Sequence, residues 1–351
     1  MKSTSKKTSK GKQIFRIILL TSTFISLWFV PWILVKAWIL PLPDTVQAQV
    51  DQTLSHGFDG VVVYVDEAGK PPAFYAAGYH NKEENIPAKP NAFFKIASIS
   101  KLYVAVAITK LAHKNQLSLD KPLTQYFPEL AGRIENADEI TLRMMVQHRS
   151  GIPNFTDNPD FWKNQPNSNI DVLKYAIDLP AVFQPNEDYG YSNTNYLLLS
   201  RIIEQVTGGS RQDYFDKEIL EPLGLKNTFG SIDDVNLDDV MSGYYVGINK
   251  DFKNENNGMM ITTAEDVGIF LRALNDGFLL NEKEMEIYTS IYEFNHGGLA
   301  PGYQCLAEYH KDIDAVVIQF MNTTDFEGYH WNLLEITHSR VVKILRKVKD
   351  L

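Results

Sequence analysis

Cysteine is almost missing from this 351-residue chain, which has only Cys305. No intrachain disulfide can form, so the fold must rest on a packed core rather than on covalent staples. A lipid-bearing cysteine after the amino-terminal leader is also lacking, which excludes that kind of anchor. Ligand spacing for a metal is absent: no H-E-x-x-H occurs, and His56, His80, His113, His310, His330 and His338 are scattered. No G-x-x-x-x-G-K-[ST] phosphate loop and no internal repeat occur. Acidic residues are missing from positions 1–43, which hold seven Lys/Arg, so the remainder carries −16 against −9 for the whole chain. An acidic main body argues against a nucleic-acid partner, because phosphate contacts need a basic surface.

What the amino terminus does have is Lys2, Lys6, Lys7, Lys10, Lys12 and Arg16, followed by an uncharged run from Ile17 to Val35 and, after Lys36, a further apolar patch to Leu42. That length suffices to cross a bilayer and exceeds the apolar core of about 7–15 residues usual in a cleaved secretory signal. The expected organisation is a basic cytoplasmic tail over 1–16, one transmembrane signal anchor over 17–42 with Pro31 placed to kink it, and a globular domain over 49–351. Basic residues ahead of the span put that domain outside the cytoplasm, in the periplasm or the extracellular space. Cleavage after Val46-Gln47-Ala48 is the alternative, and the basic tail also suits anionic lipid.

The most informative segment is Phe94-Lys95-Ile96-Ala97-Ser98-Ile99-Ser100-Lys101, which runs into the mostly apolar Leu102–Leu111. Positions three apart share one helix face, so Lys101 can reach the Ser98 hydroxyl and activate it as a nucleophile. A helix start also directs free N–H groups and a positive dipole end at the serine. S-x-x-K alone is unspecific, since Ser3/Lys6, Ser9/Lys12 and Ser118/Lys121 also fit, and an ordinary N-cap serine is the bland alternative.

Two further segments join it. Tyr191-Ser192-Asn193 lies between a turn-like stretch and the helical Tyr196–Val206; a tyrosine near an ammonium can serve as a general base, and an asparagine amide can bind a substrate amide. Tyr79-His80-Asn81 has the same Y-x-N form. His296-Gly297-Gly298-Leu299-Ala300-Pro301-Gly302-Tyr303 leads into the alternating Tyr303–His310, a turn at Lys311-Asp312 and the strand-like Ile313–Met321, as a hairpin would. Glycines there admit another backbone or a ligand, and His296 offers a polar group to a substrate carboxylate or carbonyl.

In this order S-x-x-K, Y-x-N and H-x-G resemble the serine β-lactamase and penicillin-binding-protein family, particularly its class C-like branch of β-lactamases, D-alanyl-D-alanine carboxypeptidases and esterases. Gly57–Val63, Gln147–Pro153, Tyr191–Leu199 and Thr262–Asp266 extend the likeness over most of 57–325. The resemblance implies an α+β sandwich: a mostly antiparallel sheet flanked by terminal helices, with an inserted helical subdomain, here preceded by the transmembrane helix. Strands are expected near Val61–Asp66 and Phe74–Tyr79, and a last helix near Trp331–Lys347.

It further implies that Ser98 is acylated, with Lys101 as proton acceptor and Tyr191 as its partner acid or base. Asn193, His296 and Gly298 would bind substrate, and the Ser98 and Leu299 backbone N–H groups would form the oxyanion hole. Neither metal nor cofactor is implied. Histidine stands at 296 where many members have lysine, which points away from β-lactam hydrolysis. The expected function is a membrane-anchored serine hydrolase acting on D-alanyl peptides or small esters and amides; a penicillin-binding sensor or a β-lactamase is the alternative. Asn154–Gln165 and Asn236–Met259 are the expected rim of the cleft. His148 reads as a turn residue that supports the site from behind, Asp266 as a local cap or pair, and Cys305 as a small buried residue.

Overall fold

The computed structural model describes residues 10–163 and 172–349. Lys2, Lys6, Lys7 and the end of the expected rim, 164–165, lie outside the described residues. The chain divides into two compact units, 1–41 and 42–351.

The first unit holds helices α1, Lys10–Trp28, and α2, Trp32–Ile39, bent by 83° at the break between them. Neither is long and apolar enough to cross a membrane alone; the bent pair passes by length and composition. The span expected over 17–42, with Pro31 placed to kink it, takes the form of two helices with the bend at that proline. Pro31 is the physical reason, since it lacks an N–H and its ring displaces the carbonyl a turn earlier. No residue of α1 is buried, and Ile14, Phe15, Ile18 and Phe24 are exposed.

The second unit starts at Leu42, ahead of the expected boundary at 49, because helix α3, Val46–Thr53, already belongs to it. Thr45 caps α3 by accepting from the Ala48 N–H, and Val46 and Val50 are buried. The central sheet has six antiparallel strands: β1 Gly60–Glu67, β2 Ala73–Asn81, β3 Ile86–Pro87, β4 His296–Ala300, β5 Tyr303–His310 and β6 Ala315–Met321. Their order is β3-β2-β1-β6-β5-β4, so strands from both ends of the domain sequence meet at the β1–β6 pair, with Val63 opposite Gln319. Every residue of β6 is buried, because both faces of the sheet are covered.

One face is set by Val62, Tyr64, Cys305, Val316, Ile318 and Phe320 and packs into the large core shared with helices α4, Ser100–His113, α5, Asn193–Thr207, and α6, Ala264–Asn275. The other face, two-residue alternation away, meets α3 and the last helix α7, His330–Lys349: Gln319 there donates to Thr337 Oγ1 at 3.0 Å. The helical residues between β3 and β4 form the inserted layer, as expected from the resemblance. Asp266 joins that layer to a short strand, accepting from the Asn227 N–H at 2.8 Å and the Thr228 hydroxyl at 2.9 Å, and burial raises its pKa.

Candidate active site

Ser98 lies in a single 3₁₀ turn, Ala97–Ile99, and α4 begins only at Ser100. It is therefore not the N-cap of the helix, whose first turn receives no side-chain cap. Ala97 adopts φ +45°, a left-handed conformation costly for any residue with a Cβ. Strain of that kind just before a serine turns its hydroxyl out of the helix path and into the cleft. Lys101 then sits three residues on, on the same face, with Nζ 2.9 Å from Ser98 Oγ.

The Y-x-N segment arrives from the opposite wall at the start of α5. Tyr191 OH donates to Ser98 Oγ at 2.7 Å, and Lys101 Nζ donates to Asn193 Oδ1 at 2.8 Å. Behind them, His148 occupies φ +57° in the turn after helix Leu142–Val146; its Nδ1 accepts the Ser192 N–H at 3.1 Å and its ring stacks on Tyr191 at 4.4 Å. The tyrosine ring is thus stacked on His148 while its hydroxyl meets Ser98 Oγ.

Electrostatics assign the protons. Lys101 is buried without a carboxylate among the groups that shift it, and desolvation pulls its pKa down to about 7. Near neutrality a large fraction is free amine, able to accept the Ser98 proton. Tyr191 moves the other way: burial raises it well above the ordinary phenol value, against the lowering effect of its bond to Ser98. The expectation that a neighbouring ammonium would ease its deprotonation is not met, because desolvation dominates. Tyr191 is a proton donor here. His296 on β4 is pulled down to about 4 by burial and then by Lys101, which holds its imidazole neutral near pH 7.

Asn193 is held from two sides. Its Oδ1 takes Lys101, while its Nδ2 donates to Asn154 Oδ1 at 3.3 Å and Thr156 Oγ1 at 3.2 Å. These bonds fix the amide against Lys101, and Asn193 also lines the cavity that opens from Ser98, where the second lone pair of Oδ1 remains for a substrate N–H.

A family model described as Beta-lactamase matches residues 42–291. The chain belongs to the beta-lactamase family, within the serine hydrolase superfamily. Among curated proteins it is 29% identical over 193 residues to Protein flp of Staphylococcus aureus, covering 53% of this chain and 39% of that one. It is 32% identical over 177 residues to Penicillin-binding protein 4* of Bacillus subtilis, covering 49% and 38%. The chain thus spans well under half the length of these relatives. Among solved structures, D-amino acid amidase from Ochrobactrum anthropi SV3 complexed with L-phenylalanine superimposes with TM-score 0.77 at 21% identity, covering 87% of this chain and 99% of that one. The penicillin binding protein from Bacillus halodurans gives 0.70 at 20% identity, over 86% and 98%. These two likenesses speak for the fold.

The family match ends before His296, so β4 must be judged by geometry. Pro301-Gly302, with Gly302 at φ +82°, makes the tight turn that closes the Ala300–Tyr303 pair. Hydrogen-bonded and non-hydrogen-bonded pairs alternate outward from such a turn, so Leu299, opposite Gln304, turns its N–H away from β5. β4 is the edge strand, and what lies beyond it is the Ser98 turn. Gly298 permits that approach: a Cβ there would stand 2.3 Å from the Ile96 carbonyl oxygen and 2.6 Å from Cys305 Sγ. Cys305 is buried, as expected, with its thiol pushed up by desolvation. Gly298→Ala is expected to push β4 from the turn and lower kcat about 10²-fold, the cost of one displaced oxyanion donor, with KM changed far less. Steady-state kinetics on a chromogenic ester check this; an unchanged kcat removes β4 from the reaction.

A cavity of about 560 Å³ opens from Ser98 and Lys101. Its apolar walls include Val104, Phe155, Phe161, Leu197 and Met259, and Arg201, Glu204 and Arg211 supply charge. Of the expected rim, Phe155, Thr156 and Phe161 line it from the first segment and Asn257, Gly258 and Met259 from the second. Sequence reading missed Asn154 and Thr156 as the support of Asn193, since isolated polar residues in a loop carry no pattern. It also missed Lys95, buried on a two-residue strand, which donates to the carbonyls of Phe252 at 2.8 Å and Glu255 at 2.7 Å and so ties down the segment leading to Met259. Burial lowers its pKa to about 8.

Proposed function

We propose that this chain is a serine hydrolase that works through an acyl-enzyme on Ser98, acting on D-alanyl peptides or small amides and esters. The observation that carries the reading is the position of Ser98 Oγ, 2.9 Å from a buried lysine with a pKa near 7 and 2.7 Å from a protonated tyrosine. In the proposed cycle Lys101 takes the Ser98 proton as Oγ attacks the carbonyl carbon. The tetrahedral oxyanion is held by the Ser98 and Leu299 N–H groups. Tyr191, able to donate and re-protonated through Lys101, gives the leaving group its proton; water then cleaves the acyl-serine. Asn193 is assigned to positioning Lys101.

In this reading α1 and α2 anchor the catalytic domain outside the cytoplasm. Support comes from the uncovered apolar surface of α1 and the basic residues Lys10, Lys12 and Arg16 at its start.

The test is intact-mass analysis of the full chain with a fluorescent penicillin, alongside turnover of p-nitrophenyl butyrate. Rapid ester turnover without an adduct marks an amidase or esterase, and a persistent adduct a D-peptidase or a penicillin-binding sensor. Neither signal, or signals that survive loss of Ser98, would refute the acyl-enzyme.

A further inference from the structure

Sequence spacing shows no metal ligands, yet the fold brings a set of them together from β5 and α7. Glu308 and His310, two apart on β5, share the sheet face that meets α7, and His338 of α7 points back at them. The distances are 3.4 Å from His310 Nε2 to His338 Nε2, 3.4 Å from His310 Nε2 to Glu308 Oε2, and 3.3 Å from His338 Nε2 to Glu308 Oε2. The three donor atoms therefore form a nearly equilateral triangle.

Such a triangle has a specific meaning. Zinc binds imidazole nitrogen and carboxylate oxygen at about 2.0–2.2 Å, and the edge of a tetrahedron of that radius is about 3.3–3.6 Å. Two imidazole nitrogens that face each other must differ in protonation to avoid placing N–H against N–H, whereas one cation satisfies both nitrogens and the carboxylate together. His338 is 2% exposed, and its Nδ1 has no hydrogen-bond partner, so the triangle holds every polar contact of that buried ring. Glu308 and His310 are only partly buried, leaving one side open for entry and for water as a fourth ligand.

We propose that Glu308, His310 and His338 form a binding site for a single Zn²⁺-type divalent ion that pins α7 to β5. The donor set, two imidazoles and one carboxylate, suits zinc over calcium or magnesium, which prefer all-oxygen sites. The ion stabilises the fold by binding the folded chain alone, since the three ligands are apart in the unfolded one. It takes no part in the proposed acyl transfer.

The experiment uses the full, untagged chain, freed of metal with a chelator and dialysed against Zn²⁺, with Co²⁺ as a spectroscopic substitute. One Zn²⁺ per chain is expected, together with a rise in Tm on adding Zn²⁺ and the visible absorption of four-coordinate Co²⁺. His310→Ala and Glu308→Gln, both at partly exposed positions and outside the catalytic cleft, are expected to weaken binding at least tenfold and to abolish the Zn²⁺-dependent rise in Tm, while leaving ester turnover unchanged. Circular dichroism shows whether each variant is folded. Absence of saturable binding to the parent chain, or binding of equal strength in both folded variants, would overturn the proposal and leave the three groups as a proton-sharing cluster.

Discussion

Ser98→Ala is expected to lower kcat on any accepted ester or amide by at least about 10⁴-fold, since a covalent route cannot be replaced by its remaining parts. The variant should also lose the penicillin adduct if the parent chain forms one. Ser98 lies in a turn ahead of α4, and its hydroxyl makes contacts only within the Lys101–Tyr191 cluster. Removing Oγ leaves Lys101 bonded to Asn193 and leaves the core untouched, so thermal unfolding should shift by no more than about 1 kcal/mol, the usual effect of one hydrogen bond. Paired measurement of kcat and Tm separates lost chemistry from lost structure. Turnover within tenfold of the parent would show that another group carries the reaction.

Lys101→Met should produce the second largest effect, with opposite signs in activity and stability. Loss of the base removes a contribution of about 10²–10⁴ in rate. In the parent chain, kcat/KM should rise with pH through about 7 as the buried ammonium becomes an amine, and that rising limb should vanish in the variant. Stability follows from the same shift. The folded state releases this proton near 7 and the unfolded chain near 10.5, so between those values the unfolded chain binds more protons and stability rises with pH. Below 7 the penalty is complete, roughly 4–5 kcal/mol from a shift of that size. Methionine needs no such desolvation and fills much of the same volume. Its variant should therefore unfold at higher urea at pH 6, and should lack the slope between pH 7 and 10 that the lysine imposes. An unstabilised variant at pH 6 would mean that the lysine is not held neutral by burial.

These two expectations describe one trade. An isolated lysine is buried at a cost to stability because only a desolvated amine is a base at neutral pH. Asn193 and the clamp of His148 on Tyr191 keep that amine and the phenol on the same oxygen. Neither arrangement could be read from motif spacing, which says that the residues can meet but not which of them keeps its proton.

The local patterns did predict the elements. The strands expected at Val61–Asp66 and Phe74–Tyr79 fall within β1 and β2, and the apolar run after Lys101 marked α4. The last helix, expected near Trp331–Lys347, runs from His330 to Lys349. Boundaries moved where a local steric rule outweighed the pattern. Pro31 divided the apolar amino-terminal run into two helices, and Asp314, at φ +48°, delayed β6 until Ala315.

What the sequence determined by itself was the set of chemical groups and their order along the chain: Ser98 and Lys101 one turn apart, Tyr191 with Asn193, and glycines around Leu299. Those are short-range facts, fixed by helix and strand periodicity. Tertiary structure alone decided the dielectric around each group and the partners from distant segments. It buried Lys101 and so lowered its pKa, set the Tyr191 hydroxyl against Ser98 Oγ, and bonded Asn193 to the lysine. It also brought Glu308 and His310 to His338 across the space between a strand and a helix, because burial and long-range contact depend on the whole packed fold and leave no trace in the spacing of the residues themselves.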